Sequence, residues 1–188
     1  MFLRSTFPRF LHARAAFAAA LSATLAAVPA HAGEVFAGGY AHAVGTPFTF
    51  DTGEDGFDGV IGYRFDRQEA LSAIGSPAPY VLGAVNAGGD TSFAAAGLAW
   101  TIGKGPVYLR PAVGLAVHDG PSERIGPEGQ HYELGSRILF EPEIALGVRL
   151  SQRVSVEASW MHISHARLFN SGQNPGIDMM GLRVNLAL

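Results

Sequence analysis

Cysteine is absent from the 188 residues, so nothing in the fold rests on disulfides. That suits an exported protein and selects no class by itself. Long apolar runs are also missing beyond the first thirty-odd residues. No later segment has the roughly 18 consecutive apolar residues that a transmembrane helix requires, which excludes that architecture. Basic charge is scarce as well. Three of the 13 Lys and Arg residues lie within the first 32 positions and all 16 acidic residues lie after them, so residues 33–188 carry 10 − 16 = −6 with His neutral. That balance argues against nucleic acid as a partner.

The first segment reads as a targeting signal. Arg4, Arg9 and Arg14 form a positive region, Ala15 to Val28 is apolar and alanine-rich, and Ala30-His31-Ala32 offers a small-x-small cleavage site. The apolar run is short for a span of about 20 residues. Residues 1–32 are therefore expected to be a secretory signal peptide. Residues 33–188 then make one domain.

What that domain contains is alternation. Val107, Leu109, Pro111, Val113, Leu115 and Val117 share one face of a stretch, while Tyr108, Arg110, Ala112, Gly114, Ala116 and His118 share the other. Ile138, Phe140, Pro142, Ile144, Leu146, Val148 and Leu150 likewise oppose Arg137, Glu141, Glu143, Gly147 and Arg149. A soluble sheet would bury the apolar face, whereas a barrel in lipid turns it outward and closes charges and glycines inside. Eight such segments are predicted: Glu34–Ala43, Phe57–Asp66, Tyr80–Ala87, Thr91–Ile102, Val107–His118, Ile138–Leu150, Arg153–His165 and one starting at Ile177. The expected fold is all-β, an eight-stranded antiparallel transmembrane β-barrel. Trp100, Trp160 and Tyr80 suit interfacial aromatic belts. Val44–Gly56, Asp119–Glu133 and Ala166–Gly176 are long, as external loops should be. Arg67–Pro79 is long and Gly88–Asp90 short against that pattern.

Chemistry concentrates between Met161 and Met180. On the seventh strand His162 and Ser164 continue the lipid face of Val154, Val156, Ala158 and Trp160. On the eighth, Asp178 shares a face with Met180, Leu182, Val184, Leu186 and Leu188. Pairing His162 with Asp178 centres their loop near Asn170. Cross-strand neighbours lie ~5 Å apart at Cβ and residues two apart on one strand ~6.6 Å apart at Cα. Hydroxyl, imidazole and carboxylate can thus form a serine-hydrolase triad on the outside of the barrel. Ionisable groups facing hydrocarbon are expensive, which favours a functional reading. The bland alternative is that polar residues near a strand end simply meet the headgroups. His162 and His165 point to opposite strand faces and make no metal pair. His42 and His118 read as lumen or rim residues.

The same residues resemble the PagL-type outer-membrane lipid A 3-O-deacylases, a family with His-x-Ser-Asn-Ala on the seventh strand and Asn-x-Gly-Ile-acid opening the eighth. The counterparts are His162-Ile163-Ser164-His165-Ala166 and Asn174-Pro175-Gly176-Ile177-Asp178. The resemblance extends through Gly114–Gly120 and Gly135–Phe140. It implies removal of an ester-linked 3-hydroxyacyl chain from lipid A in the outer membrane of a Gram-negative bacterium. By position, Ser164 would be nucleophile, His162 general base and Asp178 the orienting acid, with Asn174 a candidate oxyanion donor. No metal or organic cofactor is implied. The partners expected are lipid A or lipopolysaccharide within the membrane, and a second copy of the chain in a homodimer. The chain departs from the family at His165, where asparagine is usual, and at Leu188, where an aromatic residue is usual. The acid of the best-known pattern is glutamate, one methylene longer. A non-catalytic structural or adhesive barrel and an outer-membrane phospholipase remain the competing readings.

Overall fold

The computed structural model describes residues 33–47, 49, 52–120, 124–125, 129, 131–132, 134, 136–166 and 175–188. The chain divides into Met1–His31 and Ala32–Leu188. The signal-peptide expectation and Asn174 both fall outside the described residues.

Eight strands close on themselves: β1 (Glu34–Ala41), β2 (Phe57–Arg64), β3 (Ala78–Asn86), β4 (Phe93–Ala99), β5 (Val107–His118), β6 (Ile138–Arg149), β7 (Val154–Ile163) and β8 (Ile177–Ala187). Each is antiparallel to its sequence neighbour, and β1 pairs with β8 to seal the barrel. Closure leaves no sheet edge, so every strand satisfies its backbone groups within the wall, the condition for lying in lipid. The loop between β5 and β6 carries a small hairpin of Arg124–Ile125 with His131–Tyr132.

The alternation sets the faces as expected. Leu182, Leu146 and Leu115 are 62%, 55% and 52% exposed on the outer surface. The lumen is packed, with Phe36, Tyr40, Leu82, Phe93, Leu139, Met161 and Met179 buried in it. Between these lie charges that answer one another. Arg183 bonds Glu157 at 2.5 Å and Glu143 at 2.6 Å, Arg110 reaches Glu34 at 2.7 Å and also Glu157, and Arg64 pairs with Glu34. The Arg64 and Arg183 guanidinium groups stack on the Phe36 ring at 4.9 and 4.8 Å. Gly62 is required there, because a Cβ on it would lie 2.2 Å from that ring. The interior is therefore a filled polar core rather than a pore.

Two expectations need correction. Tyr80 is no belt residue: it is 3% exposed and donates its hydroxyl to Glu141 inside the barrel. Its face of β3, with Leu82 and Ala84, is apolar like the opposite one, so alternation could not orient the strand. The fourth strand is shorter than Thr91–Ile102, although Ile102 still bridges Leu109. The long connection at 65–77 folds into a 3-10 turn, Glu69–Ile74, whose last carbonyl accepts from Trp100 Nε1 at 2.7 Å.

Candidate active site on the lipid-facing rim

The seventh and eighth strands pair with Asp178 opposite His162, the register inferred from loop length. In a closed barrel a slip of one residue would turn every outward side chain inward, so the filled lumen fixes this pairing. His162 Nδ1 lies 2.7 Å from Asp178 Oδ1. An ionised carboxylate can only accept, so Nδ1 carries the proton and Nε2 is left as the basic nitrogen. That is the tautomer a general base needs.

Asp178 is fully buried although it stands on the lipid-facing side of β8. Burying a carboxylate without donors costs several kcal/mol. Four donors meet this one. Trp160 Nε1 donates to Oδ1 at 2.9 Å, beside His162. Thr46 Oγ1 and Thr49 Oγ1 donate to Oδ2, the latter at 3.1 Å. The two threonines come from the loop after β1, which folds over the rim so that Val44 N–H also donates to the Asp178 carbonyl at 2.9 Å.

Gly176 completes the seat of the imidazole. A Cβ there would lie 2.4 Å from His162 Cε1 and 2.9 Å from Nε2, so no other residue leaves room for the ring. The start of β8 therefore shapes the site twice, with a carboxylate for Nδ1 and a missing side chain beside Nε2.

Ser164 is two residues beyond His162 and is 5% exposed. Its backbone extends the β6–β7 pairing through bonds with Phe140 at 3.1 and 2.7 Å. The structure joins His162 to Asp178 directly, and no hydrogen bond continues from His162 to the Ser164 hydroxyl among the described residues. Triad contacts commonly tighten only when substrate binds. His165, next in the chain, is completely buried. A groove of about 400 Å³ opens beside His162, lined by Pro142, Glu143, Ile144 and Trp160. Its surface is mostly apolar, as an acyl chain would require. Among the described residues no group of three or more His, Asp or Glu side chains is arranged to hold a metal ion.

Sequence reasoning named His162, Ser164 and Asp178, and the structure brings the first and third together. It missed Thr46, Thr49, the Trp160 bond to Asp178 and the role of Gly176. Only Gly176 left a trace, as a glycine two residues before an acid at a strand start.

A family model described as lipid A 3-O-deacylase (PagL) matches residues 61–187. The chain belongs to the PagL family. By that membership it is an esterase of the outer membrane, built as a β-barrel. The fold agrees with solved structures. The crystal structure of the outer membrane enzyme PagL superposes with a TM-score of 0.57 at 18% identity, covering 82% of this chain and 99% of that one. Neisserial surface protein A (NspA) gives 0.54 at 10% identity, covering 83% and 97%. No curated protein sequence matches the chain.

Proposed function

We propose that the chain hydrolyses the ester-linked 3-hydroxyacyl chain of lipid A in the outer leaflet by a serine mechanism. The observation carrying this reading is the His162–Asp178 pair at 2.7 Å, turned toward lipid beside an apolar groove. The family supplies the substrate.

In this mechanism the Ser164 hydroxyl attacks the ester carbonyl while His162 Nε2 accepts its proton. The tetrahedral intermediate collapses, the sugar oxygen leaves with the proton from His162, and the acyl group stays on Ser164. Water then attacks that ester, giving a proton to His162, and the intermediate collapses to release the 3-hydroxy fatty acid as His162 returns the proton to the Ser164 oxygen. Asp178 remains ionised throughout, holding the ring and balancing the imidazolium. Its shorter side chain suffices for this because the two residues are directly paired across strands. Asn174 is proposed as an oxyanion donor. Pro142, Ile144 and Trp160 offer the acyl chain an apolar bed. A homodimer is part of the same proposal, tested by the mass of the purified protein in its detergent particle.

Purified protein in detergent, given lipid A, should release a 3-hydroxy fatty acid, and Ser164→Ala should release none while retaining a folded barrel. Release by Ser164→Ala at the wild-type rate would remove Ser164 from the mechanism. Release of unhydroxylated acid from glycerophospholipid in preference to lipid A would establish the phospholipase reading instead.

A further inference from the structure

The first outer loop is tied down at both ends of its path to Asp178. At its base, His42 is buried between two carboxylates, with Nδ1 at 2.7 Å from Asp58 and Nε2 at 2.8 Å from Glu54. Two acceptors on one imidazole require both nitrogens to donate, so His42 is a cation clamped by two anions. Both carboxylates are in turn fixed to the barrel end: Glu54 accepts from Thr91 N at 3.2 Å and Oγ1 at 2.8 Å, and Asp58 accepts from Asn86 at 3.1 Å. The next residue, Ala43, adopts φ 49°, a left-handed turn that a non-glycine residue holds only under constraint. The chain then crosses the rim and presents Val44 N–H, Thr46 Oγ1 and Thr49 Oγ1 to Asp178.

We infer that Thr46 and Thr49 are positioning residues of the active site, acting through Asp178. The inference rests on the catalytic reading of Asp178 and adds a role for the first loop. Asp178 Oδ1 serves His162 and Trp160, whereas Oδ2 is served by the two threonines alone among the bonds described. Their hydroxyls stop the carboxylate from rotating about its Cβ–Cγ bond and supply the donors to its second oxygen. Without them, Oδ2 would be a buried anionic oxygen lacking donors. The carboxylate would turn toward the polar cavity of about 300 Å³ beside it, lined by Gly45, Thr49, Thr52 and Glu54. That rotation would draw Oδ1 away from His162 Nδ1.

The test uses the full chain in detergent with lipid A, comparing Thr46→Val/Thr49→Val, Thr46→Ser/Thr49→Ser and Asp178→Ala. Heat-modifiable migration on gels checks that each barrel is folded. The valine pair should lower kcat at least tenfold with KM within twofold of wild type, and the serine pair should restore it. Placed on Asp178→Ala, the valine pair should change nothing further, because its effect travels through that carboxylate. A wild-type kcat in the valine pair, or an equal additional loss on Asp178→Ala, would overturn the positioning role while leaving the site intact. A wild-type kcat in Asp178→Ala would overturn the catalytic reading itself and this inference with it.

Discussion

Asp178→Asn separates the orienting function of the carboxylate from its charge. In the serine-protease template the amide offers its NH2 to the histidine and leaves the wrong tautomer, at a cost of about 10,000-fold in kcat. The surroundings of Asp178 forbid that orientation. Trp160 Nε1 can only donate, and it donates to the same oxygen as His162 Nδ1. An asparagine must therefore set its carbonyl oxygen at the Oδ1 position and its NH2 at Oδ2. There the Thr46 and Thr49 hydroxyls can turn to accept. His162 keeps its tautomer, and what is lost is the charge opposite the imidazolium. The difference between a charge-assisted and a neutral hydrogen bond is about 1–2 kcal/mol, or roughly 5- to 30-fold in rate. Asp178→Ala removes orientation too and should cost about 10,000-fold, as losing the acid does elsewhere. The assay is release of 3-hydroxy fatty acid from lipid A in detergent at saturating substrate. Adding Trp160→Phe to Asp178→Asn frees the amide, so the double variant should fall to the level of Asp178→Ala. A 10,000-fold loss in Asp178→Asn alone would refute the reasoning, as would a double variant no slower than the single one.

Gly176→Ala should leave the barrel folded yet displace the imidazole, lowering kcat by about 100-fold, the scale on which a misplacement of ~1 Å acts; wild-type turnover would show the ring has room. The His42 clamp predicts an alkaline transition. Burial alone would push this imidazole down, but hydrogen bonds and charge from Asp58 and Glu54 outweigh it and raise it from 6.5 to about 9. Because the folded value lies above the unfolded one, the stabilisation is complete below about pH 6.5 and is lost as pH rises through about 9. Limited proteolysis of the 42–56 loop should therefore accelerate near pH 9 in wild type. His42→Gln should cleave at an equal, faster rate across the range, and a pH-independent wild type would contradict this. Glu157→Gln should destabilise the barrel by about 1.5–3 kcal/mol in urea, since Arg183 keeps Glu143 and Arg110 keeps Glu34 but both lose a charged acceptor; an unchanged midpoint would show that the lumen network carries no net stability.

The parts of this molecule that were legible from sequence are those governed by period two. On β5 and β6 one face is continuously apolar, on β7 and β8 it is apolar but for His162 and Asp178, and the other face holds charge or glycine, so direction, facing and the Asp178–His162 register all followed. On β3 both faces are apolar, with Val81 and Val85 opposite Tyr80 and Leu82, and the alternation could not say which was inside. The site was half legible for the same reason. His162 and Asp178 meet through strand pairing, which leaves a pattern, whereas Thr46 reaches Asp178 across 132 positions through a loop that has none. Gly176 was visible as a motif glycine, but that its missing Cβ is needed by the His162 ring is a fact of three-dimensional contact. The clamp on His42 was hidden too, because a histidine beside distant carboxylates looks like any rim residue until the loop closes.

The most direct measurement is the mass spectrum of lipid A from Gram-negative cells expressing either the wild-type chain or Ser164→Ala at equal levels in the outer membrane. The wild type should produce a species lighter by one 3-hydroxyacyl group, and Ser164→Ala should leave lipid A at its full mass. Identical spectra in the two strains, whether both trimmed or both intact, would contradict a serine-dependent lipid A deacylase.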